Sequence, residues 1–422
     1  MQIPGNIKLS SNYKKGWLVT FAGLGVNLAL GILYSWGVFA AALRNIGWSA
    51  TESQIPYIIA CAVFALIMVP SGRLQDIHGP KFVIFIASVL TGIGFILSGF
   101  FMTVAGLSVF FGVVFGTAMG FGYAAATPAA IKWFGPHKRG LISGIVVSGF
   151  GLAGIYVAPL TEFLIESRGL ENTFFILGVS FAIAIFLFNL IIDNPPPDHQ
   201  VFVSQQRHKT IKIKNMVNYT WQEMIRTPQF YMLWLMFCFG TFAGLLILGQ
   251  LSNIAQEQIG VTAGIATGFI MIYAVFNWFG RIACGIISDK IGRKSSFCLI
   301  FLIQFICFIL FNSFRTIFTF SIGTALVAFS FGGMLTLFPS TTADYFGIKN
   351  LGLNYGLVFT AWGAAGVFGP LLGGLVRDLT GTYSVSYTVS GILCFIGAVI
   401  SFLLPDIKEK QEQKKLSPSV SK

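Results

Sequence analysis

The 422-residue chain has few charged side chains, and acidic ones are especially scarce. Only 10% of its residues are charged, with 15 Asp and Glu against 27 Lys and Arg. Hydrophobic residues make up 55% of the chain, and its mean hydropathy is +0.78. This composition excludes an ordinary soluble globular protein and is typical of a chain that crosses a bilayer many times.

Metal-binding and redox motifs are also missing. The six cysteines lie in apolar segments without metal-ligand or redox spacing, so we interpret them as small packing residues. The apolar segments contain no nucleophile, acid–base pair or metal cluster, which argues against an enzyme and predicts neither a cofactor nor a metal. The first apolar run is as long as a full span and lacks a small-residue cleavage pattern, so we expect it to be a helix and not a signal peptide.

Apolar runs of about 20 residues, the length that spans a bilayer core as a helix, recur along the chain. They predict an all-α membrane protein with twelve transmembrane helices, near residues 17–40, 54–72, 81–103, 106–131, 140–165, 173–193, 228–252, 263–287, 296–314, 317–342, 352–376 and 384–404.

The basic residues are distributed unevenly between the two sides of the predicted membrane. Of the 27 Lys and Arg, 22 lie in the two tails or in every second loop, and Arg44, Arg168, Arg315 and Arg377 fall on the opposite side. Such a bias places both termini in the cytoplasm. It also explains the basic composition without nucleic acid. Short loops and the lack of a transit segment favour the inner membrane of a prokaryotic cell.

A long polar interruption divides the chain. It contains three consecutive prolines, 195–197, followed by a basic stretch, and reads as a linker. We therefore predict an N-terminal six-helix bundle over residues 1–194, a cytoplasmic linker over 195–226, a C-terminal six-helix bundle over 227–405 and a cytoplasmic tail over 406–422.

The two bundles repeat each other. Residues 72–81 (GRLQDIHGPK) match residues 285–294 (GIISDKIGRK) at an offset of 213, each after the second span of its bundle. Glycines 135, 140, 144, 151 and 154 match glycines 347, 352, 356, 363 and 366 at an offset of 212. Two matches at nearly one offset indicate a duplicated six-helix unit, and the glycines indicate close helix packing.

On these residues the chain resembles the major facilitator superfamily, whose signature is the loop pattern Gly-x-x-x-Asp-x-x-Gly-x-Lys. It is similar in particular to the branch of oxalate/formate antiporters and bacterial monocarboxylate transporters. The resemblance implies two pseudo-symmetric six-helix bundles that alternate access to a midplane site, with a monomer as the default state. The segments that carry it are 33–36 (LYSW), 133–144 (WFGPHKRGLISG), 226–230 (RTPQF), 338–341 (FPST) and 354–356 (NYG).

The signature loops hold candidate gating residues. Asp76 and Asp289 are expected to pair with cations or helix N-termini in one conformational state and to release them in the other. The alternative is that these loops carry solvated charges that set topology. The nearby cations of the predicted gate are Arg73, Lys81, Arg293 and Lys294.

Arg281 is the main candidate for the substrate site, because it lies within an apolar stretch, residues 262–287, that contains no acidic residue. A central Arg costs about 2.5–3.5 kcal/mol on insertion scales, so a functional role is expected. Its guanidinium offers two parallel donors to a carboxylate, and Asn277 lies one turn earlier on the same face. Bonding to carbonyls of a broken helix and pairing with Glu162 or another acid at a helix end remain alternatives.

The resemblance implies further pocket residues. Trp362 aligns with a Lys that oxalate carriers use as a second cation, so one carboxylate is expected here instead of two. Phe331 and Leu335 replace a Trp and a Tyr of those carriers. For each aromatic residue, helix packing or lipid contact is an alternative role. The implied pocket candidates are Tyr34, Trp36, Tyr123, Phe331, Leu335 and Trp362.

These observations predict a secondary transporter of a small monocarboxylate such as L-lactate or pyruvate. Proton-coupled relatives carry an Asp where this chain has Asn277, and all four histidines map to the cytoplasmic side. Proton-linked symport and exchange of one anion for another therefore both stay open, with symport preferred. A sensor would normally have a larger soluble domain, and a multidrug exporter would more often bury an acid than a cation.

Overall fold

The computed structural model describes residues 4–49, 52–196, 199–204, 209–212 and 218–405. Within these ranges the chain forms helices α1 to α15 and one hairpin, β1–β2. The helices are α1 (Pro4–Leu30), α2 (Trp36–Asn45), α3 (Ile55–His78), α4 (Pro80–Phe100), α5 (Val104–Leu107), α6 (Gly116–Ile131), α7 (Arg139–Arg168), α8 (Leu170–Ile191), α9 (Trp221–Ile225), α10 (Pro228–Ile259), α11 (Ala263–Ile291), α12 (Arg293–Leu310), α13 (Ile317–Phe346), α14 (Leu351–Thr380) and α15 (Ser384–Leu403).

Twelve helical segments of the described chain are long and apolar enough to cross a membrane, which confirms the predicted number. The first, Tyr13–Asn45, joins α1 and α2 through a 3-10 turn, and the fourth, Val104–Ile131, joins α5 and α6 through the π-helical segment Ser108–Phe115. Helix α9 precedes the seventh span, and each remaining span is built on one long helix. The chain is a multi-pass integral membrane protein.

The backbone conformation explains why the second position of each signature loop is a glycine. Gly79 separates α3 from α4 with φ of 83°, and Gly292 separates α11 from α12 with φ of 90°. Residues with a side chain rarely adopt positive φ, so glycine allows one helix to end and the next to begin without an intervening loop. The signature thus fixes the turn that follows each gating aspartate.

The linker departs from an all-α description. Strand β1 (Gln200–Ser204) pairs antiparallel with β2 (Lys209–Lys212), with Gln200 opposite Lys212. Val201, Val203 and Ile211 suit extended backbone. Just before β1, the His199 ring nitrogen Nε2 lies 3.0 Å from the carbonyl oxygen of Trp133, which ties the linker to the end of α6. Burial lowers the pKa of His199. The tail, 406–422, lies outside the described residues.

The most extensive contacts between the first six spans and the last six are made by two equivalent helix pairs, α3 with α14 and α7 with α11. A Cβ added at Gly72 would lie 2.1 Å from the carbonyl oxygen of Gly352, and one at Gly285 would lie 2.3 Å from that of Gly140. These distances are shorter than any normal contact, so the backbones meet directly at both crossings. The two pairs correspond at the offsets of the sequence repeat.

Within the last six spans, α11 packs closely on α13 at Gly280. An added Cβ there would lie 2.1 Å from the carbonyl oxygen of Phe329. We expect Gly280→Ala to lower the free energy of unfolding by about 1–3 kcal/mol through overpacking. Gly268→Ala in the same helix is the matched control, because no atom lies within 4 Å of its added Cβ. Thermal unfolding in detergent measures both variants, and equal stability would contradict this account of the crossing.

Candidate functional site

Asp76, near the end of α3, caps the first turn of α14, which belongs to the other half of the chain. Its carboxylate accepts hydrogen bonds from the amides of Gly352 at 3.1 Å and Leu353 at 2.9 Å. The Lys132 ammonium lies 3.5 Å from the same carboxylate, and the two side chains are 10% and 2% exposed. Burial lowers the pKa of Lys132, and the charge of Asp76 opposes this effect. A carboxylate at a helix N-terminus satisfies amides that have no partner within the helix.

Asp289 makes the equivalent cap at the end of α11. Its carboxylate accepts hydrogen bonds from the amides of Gly140 at 2.9 Å and Leu141 at 2.8 Å, in the first turn of α7. Arg293 lies 2.8 Å from Asp289 and also 2.8 Å from Asp344, which in turn pairs with Arg139 at 2.8 Å. Two buried carboxylates thus share two guanidinium groups across the two halves of the chain.

The structure places only part of the predicted gating set in these caps. Lys81 pairs instead with Asp193 at 3.6 Å in an exposed position, and the Lys294 ammonium lies 5.0 Å from the ring centre of Phe402. Arg73 is exposed. Arg73, Lys81 and Lys294 stand at accessible helix positions, where a long side chain turns outward. Asp76, Asp289 and Arg293, in contrast, are buried between packed helices. Their gating role stays a prediction.

Sequence reasoning assigned no role to Lys132, Arg139 or Asp344, although a signal was available. Lys132 and Asp344 correspond at the offset of 212 and carry opposite charges, each next to the aromatic residue that begins the repeated glycine segment. A buried charge needs a partner: Lys132 pairs with Asp76 of its own half, whereas Asp344 pairs with Arg293 of its own half and with Arg139 of the other. Arg139 lies in the segment 133–144, which carried the family resemblance.

Arg281 lies at the interface between the halves and is 1% exposed. Its Nε donates to the side-chain oxygen of Asn277 at 3.1 Å, and its Nη1 donates to the carbonyl oxygen of Val147 in α7. The amide nitrogen of Asn277 donates at 3.4 Å to the carbonyl oxygen of Ala328 in α13. Asn277 therefore orients the guanidinium, and both acceptors named here are neutral, so neither cancels its charge.

A small central cavity brings Arg281 together with three other predicted residues, Tyr123, Leu335 and Trp362. The space open to the centre of a water molecule is about 30 Å³. The cavity is therefore large enough to hold water. The other lining residues are Leu33, Tyr57, Phe64, Phe150, Leu245, Leu248 and Phe359.

Phe331 and Trp36, two further predicted pocket residues, do not line this cavity. Phe331 is fully buried against Tyr273, at a ring-centre distance of 6.2 Å, and against Gly244, so it packs within the last six spans. Trp36 stacks on Phe39 and donates its indole N–H to the carbonyl oxygen of Ser53 at 3.0 Å. Helix packing, the alternative for each aromatic residue, describes both. The side chain of Tyr34 lies outside the described part of the structure.

The aromatic wall was not predicted as a unit. Phe64 of α3 lies 5.6 Å from Tyr123, 5.3 Å from Phe359 and 5.5 Å from Trp362, measured between ring centres. Phe150 lies 5.5 Å from Tyr123. The rings thus come from both halves and meet over the cavity. With 44 Phe in the chain, composition could not single these out.

The repeat offsets do pair the cavity residues. Leu33 corresponds to Leu245, Tyr123 to Leu335 and Phe150 to Trp362, while Phe64 corresponds to Asn277 and Met68 to Arg281. The cavity therefore has two like walls, and the charge stands on one of them. Six of the eleven lining residues thus form three pairs that the repeat relates.

The family model described as Major Facilitator Superfamily matches residues 17–314 and 255–421. The chain belongs to this superfamily. The proton:xylose symporter bound to 6-bromo-6-deoxy-D-glucose shares the fold, with a TM-score of 0.72 at 14% identity over 96% of this chain and 99% of that one. The facilitator fold thus confirms the predicted architecture.

Two relatives are informative within the superfamily. The oxalate:formate antiporter of Oxalobacter formigenes is 29% identical over 393 residues, which cover 92% of this chain and 91% of the antiporter. Monocarboxylate transporter 2 of Mus musculus is 25% identical over 447 residues, covering 96% of this facilitator and 88% of the mouse protein. The facilitator is thus similar to carriers of small carboxylates.

Removing the Lys132 charge should loosen one cap and spare the other. Lys132→Met leaves Asp76 buried without its cation, which typically costs about 3–5 kcal/mol. We expect hydrogen exchange at the amides of Gly352 and Leu353 to become at least tenfold faster, while exchange at Gly140 and Leu141 changes little. Mass spectrometry of peptides from both regions measures the difference.

Lys81→Met is the matched control for this variant. Its exposed pair with Asp193 is worth about 0–1 kcal/mol, so exchange in both regions should stay as in the wild type. Equal acceleration of both peptides by Lys132→Met would show general destabilisation and contradict a separate cap.

Proposed function

We propose that this facilitator is a secondary active transporter that moves a small monocarboxylate, such as L-lactate or pyruvate, by alternating access in symport with a proton. The observation that carries the proposal is the buried guanidinium of Arg281 in a cavity between the two halves. A guanidinium binds a carboxylate through two parallel hydrogen bonds, and a low-dielectric site strengthens this contact. The similarity to carriers of oxalate, formate and monocarboxylates supports the same class of substrate.

The number of charges in the cavity supports one carboxylate on the substrate. Among the described lining residues, Arg281 carries the positive charge, and the others are aliphatic or aromatic. A dicarboxylate would leave its second charge against Phe64, Phe359 or Trp362, at a high desolvation cost. The small free volume favours a substrate of a few heavy atoms.

The contacts between the halves support alternating access. The Asp76 and Asp289 caps close the basic face of the molecule, which the charge bias predicts to be cytoplasmic. Opening that face requires both caps to release α14 and α7. In the proposed mechanism the bundles 1–194 and 227–405 rock about the cavity, and Asp76 and Asp289 are the gating residues.

Arg281 is expected to control this movement. In the empty carrier its charge faces neutral oxygens of Asn277 and Val147. A bound carboxylate would neutralise the guanidinium and replace the Val147 contact, which joins the two halves. We expect the loaded carrier to reorient more readily than the empty one. The carrier would act as a monomer in a prokaryotic inner membrane.

Substituting Arg281 tests the site. Uptake of labelled L-lactate into proteoliposomes should fall at least a hundredfold in Arg281→Gln, because the anion loses its counter-charge. Arg281→Lys should retain partial uptake, since an ammonium keeps the charge but not the paired donors. Arg315→Gln, at an exposed Arg, is the control and should transport as the wild type does. Undiminished uptake by Arg281→Gln would refute the proposal.

Exchange of anions is the second candidate, and Asn277 favours it, because an amide at this position cannot carry a proton. Uptake by wild-type proteoliposomes distinguishes the two schemes. An inward proton gradient across vesicles without internal anion should stimulate L-lactate uptake several-fold if symport is correct. Uptake that ignores the gradient and requires internal formate or lactate would establish exchange instead.

A further inference from the structure

The indole N–H of Trp362 is a buried donor without an acceptor in the described part of the chain. Trp362 is 6% exposed, and its Nε1 has no hydrogen-bond partner among the described residues. A buried N–H without an acceptor is costly and therefore uncommon. Its side chain lines the central cavity together with Arg281.

Other tryptophans of the chain show what a structural indole does. Trp36 donates to the carbonyl oxygen of Ser53 at 3.0 Å, Trp133 to that of Asp193 at 2.8 Å, and Trp234 to the hydroxyl of Thr360 at 2.9 Å. The Trp362 ring is held equally firmly, stacked on Phe359 at 5.2 Å with an interplanar angle of 22°. Its ring is thus fixed while its donor is left open.

We infer that Trp362 determines specificity by donating its indole N–H to an oxygen on the second carbon of the substrate. This inference rests on the proposed function, in which Arg281 holds the carboxylate. The cavity is small, so a ligand anchored at Arg281 also reaches the other lining residues. Besides Arg281 and Trp362, the polar groups of the described lining side chains are the hydroxyls of Tyr57 and Tyr123. Among the described lining residues, the indole N–H is the donor that lacks an acceptor. The carrier then prefers 2-hydroxy and 2-oxo acids to unsubstituted acids of equal length.

L-lactate and propionate form the matched pair of ligands, because they share three carbons and one carboxylate and differ in the oxygen at the second carbon. Each unlabelled acid competes with labelled L-lactate for uptake into proteoliposomes. Wild-type protein should show an inhibition constant for L-lactate about tenfold below that for propionate, as expected for one hydrogen bond in a dry site.

Trp362→Phe removes the donor and keeps a ring in the stack. We expect the inhibition constant for L-lactate to rise about tenfold and that for propionate to stay within twofold of its wild-type value. Its unfolding temperature should not fall through a lost hydrogen bond, because the indole makes none to the described part of the chain. Trp234→Phe, which loses the bond to Thr360, should lower the unfolding temperature and keep the tenfold preference.

Four results would overturn the inference. A wild-type protein that binds propionate as tightly as L-lactate has no such contact, and this result needs no variant. A Trp362→Phe protein that keeps the preference, or weakens both acids equally, assigns the ring a packing role only. If neither acid inhibits the wild type, the proposed monocarboxylate function fails and the inference with it, whereas the first three outcomes leave that function intact.

Discussion

The buried charge of Arg281 is the constraint on which the rest of the site depends. A guanidinium that is 1% exposed within a membrane span must be surrounded by acceptors, and the neutral oxygens of Asn277 and Val147 are two of them. Gly151 makes this possible, because a Cβ there would lie 3.1 Å from the Asn277 oxygen and 3.2 Å from the Arg281 Nε. The glycine in α7 therefore serves the electrostatics of α11 as well as the helix crossing.

The two halves share the same arrangement of helices, and the residues that differ between them carry the charges of the site. Both caps use an aspartate at the end of one helix and two amides at the start of another. The first has one Lys–Asp pair and the second has four linked charges. In the cavity, Met68 stands where the other half has Arg281. A substrate that binds to Arg281 on one side of the cavity can thus change contacts between two halves that are otherwise alike.

The sequence predicted the fold almost completely because lipid imposes simple rules. Span length depends on local composition, and the repeated glycine–aspartate loop depends on one offset. Arg281 was found for the same reason, since a lone charge in an apolar run is conspicuous. Tyr123, Leu335 and Trp362 came from the family resemblance, and the structure brings all three to the cavity.

The features that the sequence did not predict depend on packing between distant segments. Phe64 and Phe359 line the cavity because α3 meets α14, and nothing in their local sequence separates them from lipid-facing phenylalanines. Lys132 enters the Asp76 cap, whereas Lys81 of the signature loop turns to Asp193. The linker hairpin was also missed, because a short polar segment can pair with itself without any membrane-scale pattern. Such choices are set by the three-dimensional neighbours of a residue.

The most direct test of the central claim is a structure of the carrier with L-lactate bound, determined by electron cryo-microscopy in lipid nanodiscs. The account predicts density for the carboxylate within hydrogen-bond distance of both terminal nitrogens of Arg281, with the contact between Arg281 and the Val147 carbonyl lost. Density for the ligand away from Arg281, or an unchanged Arg281–Val147 contact beside bound lactate, would contradict it.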